Sequence, residues 1–92
     1  MRPIPSLYKV RPTSDEQLAM SKVLRSLLGE FDFDRLCPGM KVGNLDGDIL
    51  QVIVPAKNCA AEIKLRHSDD FAVAAEYALG QPIRRVNVLL AD

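Results

Sequence analysis

Tryptophan is absent from this chain of 92 residues, histidine occurs once, as His67, and there are two cysteines, Cys37 and Cys59. Each scarcity excludes something. With no Trp and only Tyr8 and Tyr77 as tyrosines, the chain is poorly supplied with platforms for stacking bases. Two cysteines make neither a disulfide framework nor a two-cysteine metal spacing, so both are expected to be reduced, small core residues. Neither sits in a local His or Asp arrangement that suggests an activated nucleophile, and a single His near a helix end is expected to serve the helix rather than a reaction. Twelve basic and twelve acidic residues cancel, which leaves no overall field to draw the protein onto nucleic acid or an anionic membrane. No apolar run approaches the ~20 residues of a membrane span, and the basic start MRPIPSLYKVRP lacks the apolar stretch of a signal peptide. A soluble protein of the cytoplasm is expected.

Other sites of chemistry are missing too. Gly39 and Gly43 flank a strand start and do not open a helix, so there is no phosphate-binding loop. Asn44, Asp46, Gly47 and Asp48 have part of the spacing of a calcium loop but lack the remaining ligands and the closing Glu, and a hairpin turn accounts for all four. Asp32 and Asp34 alternate with Phe31 and Phe33 and read as solvated acids between core aromatics. No catalytic residue, metal ligand or cofactor is expected. The chain reads as a binding protein, not an enzyme.

What is present is an ordinary hydrophobic fraction, 48%, in a length that suits one core. Residues 1–13 read as an N-terminal tail that is flexible or docked, because Pro3, Pro5 and Pro12 withhold backbone donors and favour extended neighbours. Residues 14–92 read as a single domain. Ser14 with Gln17 is a candidate capping box, and Met20, Val23, Leu24, Leu27 and Leu28 have the spacing of one buried helix face, closed by Gly29. A second short helix over Phe31 to Leu36 would cap the core with Phe31, Phe33 and Leu36. Met40 to Leu45 and Ile49 to Val54 read as a hairpin around Asp46-Gly47, the second strand being central. Asn58 is a candidate cap for a helix to about His67, Ser68 starts another that ends at Gly80, and Ile83 to Leu90 is a last strand with Val86, Val88 and Leu90 inward. This order, α(α)ββααβ, predicts an α+β fold: a three-stranded sheet with helices on one face. Val52, Val54, Leu24, Leu27, Ile63 and Val88 are the expected core.

Lys57, Lys64 and Arg66 fall in or beside one helix and Arg84-Arg85 opens the last strand, so the five could form a basic edge that touches phosphates. A solvated face with ordinary ion pairs is the competing expectation.

The succession of elements resembles the KH-like fold of prokaryotic type. The nucleic-acid-binding members of that fold clamp the backbone with a GxxG loop between two helices. Here that junction reads Arg66-His67-Ser68-Asp69, so clamping in that style is not expected. Two segments, Gly47-Asp48-Ile49-Leu50-Gln51-Val52-Ile53-Val54-Pro55 and Leu79-Gly80-Gln81-Pro82-Ile83-Arg84-Arg85-Val86, are similar to segments of bacterial replication modules without the loop. These are the N-terminal domain of the DnaA initiator, the C-terminal domain of the clamp-loader tau subunit and the helicase loader DciA. The similarity spans roughly residues 17–90 and rests on strand hydrophobes and turn residues. The tryptophans that the initiator and helicase-loader modules often carry after the first helix are absent, Phe33 or Leu36 standing there instead. The resemblance implies a protein-docking module around the replicative helicase or polymerase, with nucleic acid secondary. It places the partner surface on the first two helices, where Glu30, Asp32, Asp34 and Arg35 are offered. In the tail, Leu7-Tyr8 matches the Leu-aromatic pair that sliding-clamp-binding peptides bury, although Ile4 stands where such peptides usually have Gln. The alternative for Leu7 and Tyr8 is to fold back on apolar surface of the domain itself.

Overall fold

In a computed structural model that describes residues 11–91, the chain runs α1 (Ser14–Leu28), α2 (Glu30–Leu36), β1 (Lys41–Asp46), β2 (Ile49–Val54), α3 (Lys57–Glu62), a π-helical turn (Ile63–His67), α4 (Ser68–Leu79) and β3 (Arg85–Leu90). The α+β class and the element order are those expected from the sequence.

The first helix starts one residue earlier than its best-looking capping signal. Thr13, not Ser14, is the N-cap: its hydroxyl accepts from the Glu16 N–H at 3.1 Å, and the Glu16 carboxylate accepts from the Thr13 N–H at 2.8 Å. Glu16 closes this box better than Gln17 closes one from Ser14, because a carboxylate is also stabilised by the positive end of the helix dipole. Gln17 instead donates its side-chain amide to the Pro12 carbonyl at 3.1 Å. Pro12 is buried, so order reaches back into the stretch assigned to the tail. Thr13→Ala should therefore lower stability by about 1 kcal/mol, measured as a shift in the urea midpoint at constant slope, while Ser14→Ala should change little.

Strand β2 is central in the order β1-β2-β3. It pairs antiparallel with β1 and parallel with β3, from Ile49↔Arg85 to Val54↔Leu90. Because Asp46 pairs with Ile49, the hairpin loop is Gly47-Asp48 and not Asp46-Gly47. Gly47 takes φ +66°, the left-handed geometry that favours glycine, at the first position of the loop. Between Val42 and Leu45 the register shifts, so Gly43 and Asn44 together oppose Gln51 in a bulge. A Cβ on Gly43 would come within 3.2 Å of the Gln51 Cβ, which explains a glycine inside a strand. A parallel β2–β3 pair needs a long crossover, supplied by α3, the π turn and α4. The last strand begins at Arg85 rather than Ile83, since the Arg84 and Arg85 N–H groups both donate to the Asp48 carbonyl at the hairpin tip, at 2.8 and 3.3 Å.

The core lies between one face of the sheet and the helices. Leu50, Val52 and Val54 of β2 point inward and are fully buried, while Ile49, Gln51 and Ile53 on the other face are half-exposed. Met20 and Leu24 of α1, Ile63 of the π turn and Phe71 of α4 meet them. Ala74 and Ala75, also fully buried, keep α4 slim where it packs on α1. Three expectations for the core fail in whole or in part. Leu27 is 44% exposed, because the buried stripe of α1 runs through Met20 and Leu24 and Leu27 falls on its flank. Of the aromatic cap, Leu36 alone is buried; Phe33 is half-buried and Phe31 is 79% exposed. With seven residues, α2 can turn only one stripe inward. In β3, Val88 is buried, Val86 half-buried and Leu90 49% exposed at the strand end. Asn58 does not cap: α3 starts after Ala56 with no side-chain cap, leaving Asn58 in its first turn.

Candidate functional site

The short helix α2 carries four of the residues singled out for partner contact, and the structure divides them. Arg35 donates from both terminal nitrogens to the Glu62 carboxylate, at 2.8 and 2.6 Å, and to Asp32 at 2.9 Å. This pair ties α2 to the end of α3. The hydrogen bonds from Arg35 hold the Glu62 carboxyl far below the usual carboxylate range, at about 2, and the same bonds raise the Arg35 guanidinium further above its ordinary value. His67 lies next to this pair, with Nε2 3.8 Å from Glu62 and Nδ1 3.5 Å from Asp70. The buried Nδ1 makes no hydrogen bond to the described residues. Asp34 sits 3.7 Å from Arg25, whose guanidinium lies over the Phe33 ring at 4.5 Å from its centre. Asp32 and Arg35 are thus engaged within the domain. Glu30 and Phe31 face solvent, and Asp34 is exposed beside them. The result is an exposed aromatic ring on a helix whose neighbouring side chains are acidic.

The Glu62 pairing predicts a pH response. Because the folded carboxyl titrates below its unfolded value, the pairing stabilises the fold above about pH 4.5 and loses that contribution as pH falls from there toward 2. Glu62→Gln should flatten the fall in melting temperature across that window; an unchanged profile would show that the pairing adds nothing.

The basic candidates partly converge. Lys64, Arg84 and Arg85 line one cleft of about 220 Å³ with Asp69. Lys57 and Lys64 line a second, of about 260 Å³, with Val88 and Leu90. Lys64 is common to both. Arg84 lies 3.4 Å from Asp48, so part of its charge is answered within the domain. Arg66 is exposed in the π turn and lines neither cleft. Leu65, between Lys64 and Arg66, is 85% exposed.

The remaining candidates are simpler to place. Leu7 and Tyr8 lie outside the described residues. Cys37 is buried and Cys59 half-buried, its thiol 3.6 Å from the Arg35 carbonyl. Burial pushes the Cys37 thiol up to about 11, with smaller contributions from Cys59 and Asp34. At neutral pH roughly one molecule in ten thousand then carries the Cys37 thiolate, so it should stay unlabelled by a thiol reagent until the protein unfolds. Rapid labelling of Cys37 in the folded protein would contradict its placement. Among the described residues no group of three or more His, Cys, Asp or Glu side chains could hold a metal ion, and no helix is long and apolar enough to cross a membrane.

Two features escaped the sequence reading. One is the exposure of Phe31, which the alternation of aromatic and acid made look inward. The other is an apolar groove on the outer side of α1, walled by Leu18, Val23 and Leu27 and by Tyr77 of α4. Comparison with protein-family models and with curated proteins gives no match.

Proposed function

We propose that the chain is a non-enzymatic protein-interaction module of KH-like type. It works in bacterial DNA replication in the cytoplasm and docks on the replicative helicase or polymerase machinery. The observation that carries this reading is Phe31, 79% exposed between Glu30 and Asp32 on a helix anchored by the Arg35–Glu62 pair. An exposed aromatic held on a rigid helix costs little entropy to bind and is the residue type that most often anchors an interface. The acids around it suit a partner that presents an apolar pocket with a basic rim. The element order and the two segments around Gly47–Pro55 and Leu79–Val86 supply the replication context. The reading is tested by titrating the protein with purified replicative helicase and with clamp-loader subunits; absence of binding to both removes it.

A second reading, direct nucleic-acid binding, is favoured by one observation, the sharing of Lys64 between two clefts that also hold Lys57, Arg84 and Arg85. Contact of three of these with phosphates would give an affinity for single-stranded DNA that falls with a log–log salt slope of about −2. A DNA affinity that is weak and flat with salt removes this reading and leaves the first.

A further inference from the structure

The groove outside α1 has no role in the core. It holds about 570 Å³ and is lined along α1 from Asp15 in the first turn to Leu27 in the last, with Tyr77 of α4 on the opposite wall. Leu18, Leu27 and Tyr77 are 57%, 44% and 75% exposed, and Val73, one turn before Tyr77 on α4, is 51% exposed. Four of the eight large hydrophobic side chains exposed among the described residues thus lie on α1 and α4, two helices that pack on each other. Apolar side chains of this size, gathered in one region, mark a surface that is covered when the protein works.

We propose that a second copy of this chain covers the groove, α1 packing antiparallel on its counterpart about a two-fold axis. The observation that selects this occupant is the charge pattern of the lining. Asp15 and Lys22 both line the groove. They are two turns apart on α1, so they share one stripe of the helix and lie about 10 Å from each other along it. Leu18 and Ala19, which also line the groove, fall midway between them. A two-fold axis through that midpoint sets Asp15 of each copy against Lys22 of the other and packs Leu18 of each on Ala19 of the other. An acid at one end and a base at the other, with apolar contact between, is complementary to itself, as a two-fold interface requires. A parallel arrangement would instead oppose acid to acid and base to base. Neither Asp15 nor Lys22 has an ion-pair partner among the described residues, whereas Asp32, Asp34, Asp48 and Glu62 each have one. The net charge of zero adds no general repulsion between copies. The inference uses none of the residues of the Phe31 face, so it stands apart from that reading and survives its failure.

The test is sedimentation equilibrium of the full chain and of two charge variants, each over a wide range of concentration. The unsubstituted chain should pass from the mass of one chain to that of two as concentration rises. Asp15→Lys and Lys22→Asp each place like charges in both contacts, and each should raise the dissociation constant by about tenfold or more. Mixed in equal amounts, the two variants should pair with each other about as tightly as the unsubstituted chain pairs with itself, because every contact again joins opposite charges. That recovery also shows that both variants are folded. An unsubstituted chain that stays monomeric throughout overturns the proposal and leaves the groove to a different protein. A dimer that either single variant leaves at full strength overturns it as well, and so does a mixture of the two that stays monomeric.

Discussion

Replacing Leu24 with Ala lowers the free energy of unfolding by about 2–5 kcal/mol, and replacing Leu27 with Ala lowers it by at most about 1. The two residues are one turn apart on α1 and chemically identical, so the contrast isolates burial. Leu24 is fully buried among the residues of the core, and truncation leaves a cavity that close-packed neighbours can only partly fill. Leu27 is 44% exposed and looks into a groove, where the lost methyl groups were already half in water. Urea unfolding of both variants measures the difference. Equal losses would mean that α1 is rotated about its axis, with its buried stripe centred between the two positions.

Phe31→Ala should leave the melting temperature nearly unchanged and weaken the proposed binding to a replication protein by about 30-fold or more. The first half follows from exposure: a ring 79% open to solvent contributes little to the fold. The second half follows from the behaviour of aromatic anchors, whose removal costs about 2 kcal/mol or more when a partner buries them. Glu30→Ala, at the rim, should mainly slow association and reduce its dependence on salt, as rim charges do. Arg35→Ala is the variant to avoid as a binding probe, because it releases Glu62 and Asp32 and loosens α2 from α3.

The framework of the fold was legible because its signals are local. Periodicity marked α1 and the single apolar run marked β2; Gly80 closed α4 at φ +70°, as a glycine in that position does. Boundaries moved where two signals compete within a residue or two. Thr13-x-x-Glu16 and Ser14-x-x-Gln17 are both capping boxes on paper, and the carboxylate decides between them. The hairpin loop slid by one residue because Asp46-Gly47 and Gly47-Asp48 can both form a two-residue turn, and pairing of Asp46 with Ile49 selects the second; the bulge at Gly43-Asn44 is announced by no local rule. The π turn was invisible for the same reason.

The candidate surfaces were less legible, because they depend on which elements meet. Nothing in the sequence joins Arg35 to Glu62, 27 residues apart, yet that pair consumes a residue that looked free for a partner. Phe31 and Phe33 look alike in an alternating run. The structure gives Phe33 to Arg25 and leaves Phe31 outside. The groove along α1 needs Tyr77 from α4 for its second wall, and no periodicity within α1 contains it. The basic edge was the more legible part, since Lys64 and Arg84-Arg85 do come to one cleft, although Asp69 in that cleft and Asp48 beside Arg84 dilute its charge.

The proposed docking on a replication protein runs through the face that carries Phe31. Its most direct test is calorimetric titration of the full chain, and of the Phe31→Ala variant, into purified replicative helicase and clamp-loader subunits at physiological salt. If docking runs through Phe31, binding to one of them is saturable and the substitution weakens it about 30-fold while the fold stays intact. Binding that Phe31→Ala leaves untouched, or no binding beside a tight and steeply salt-dependent affinity for DNA, would contradict it.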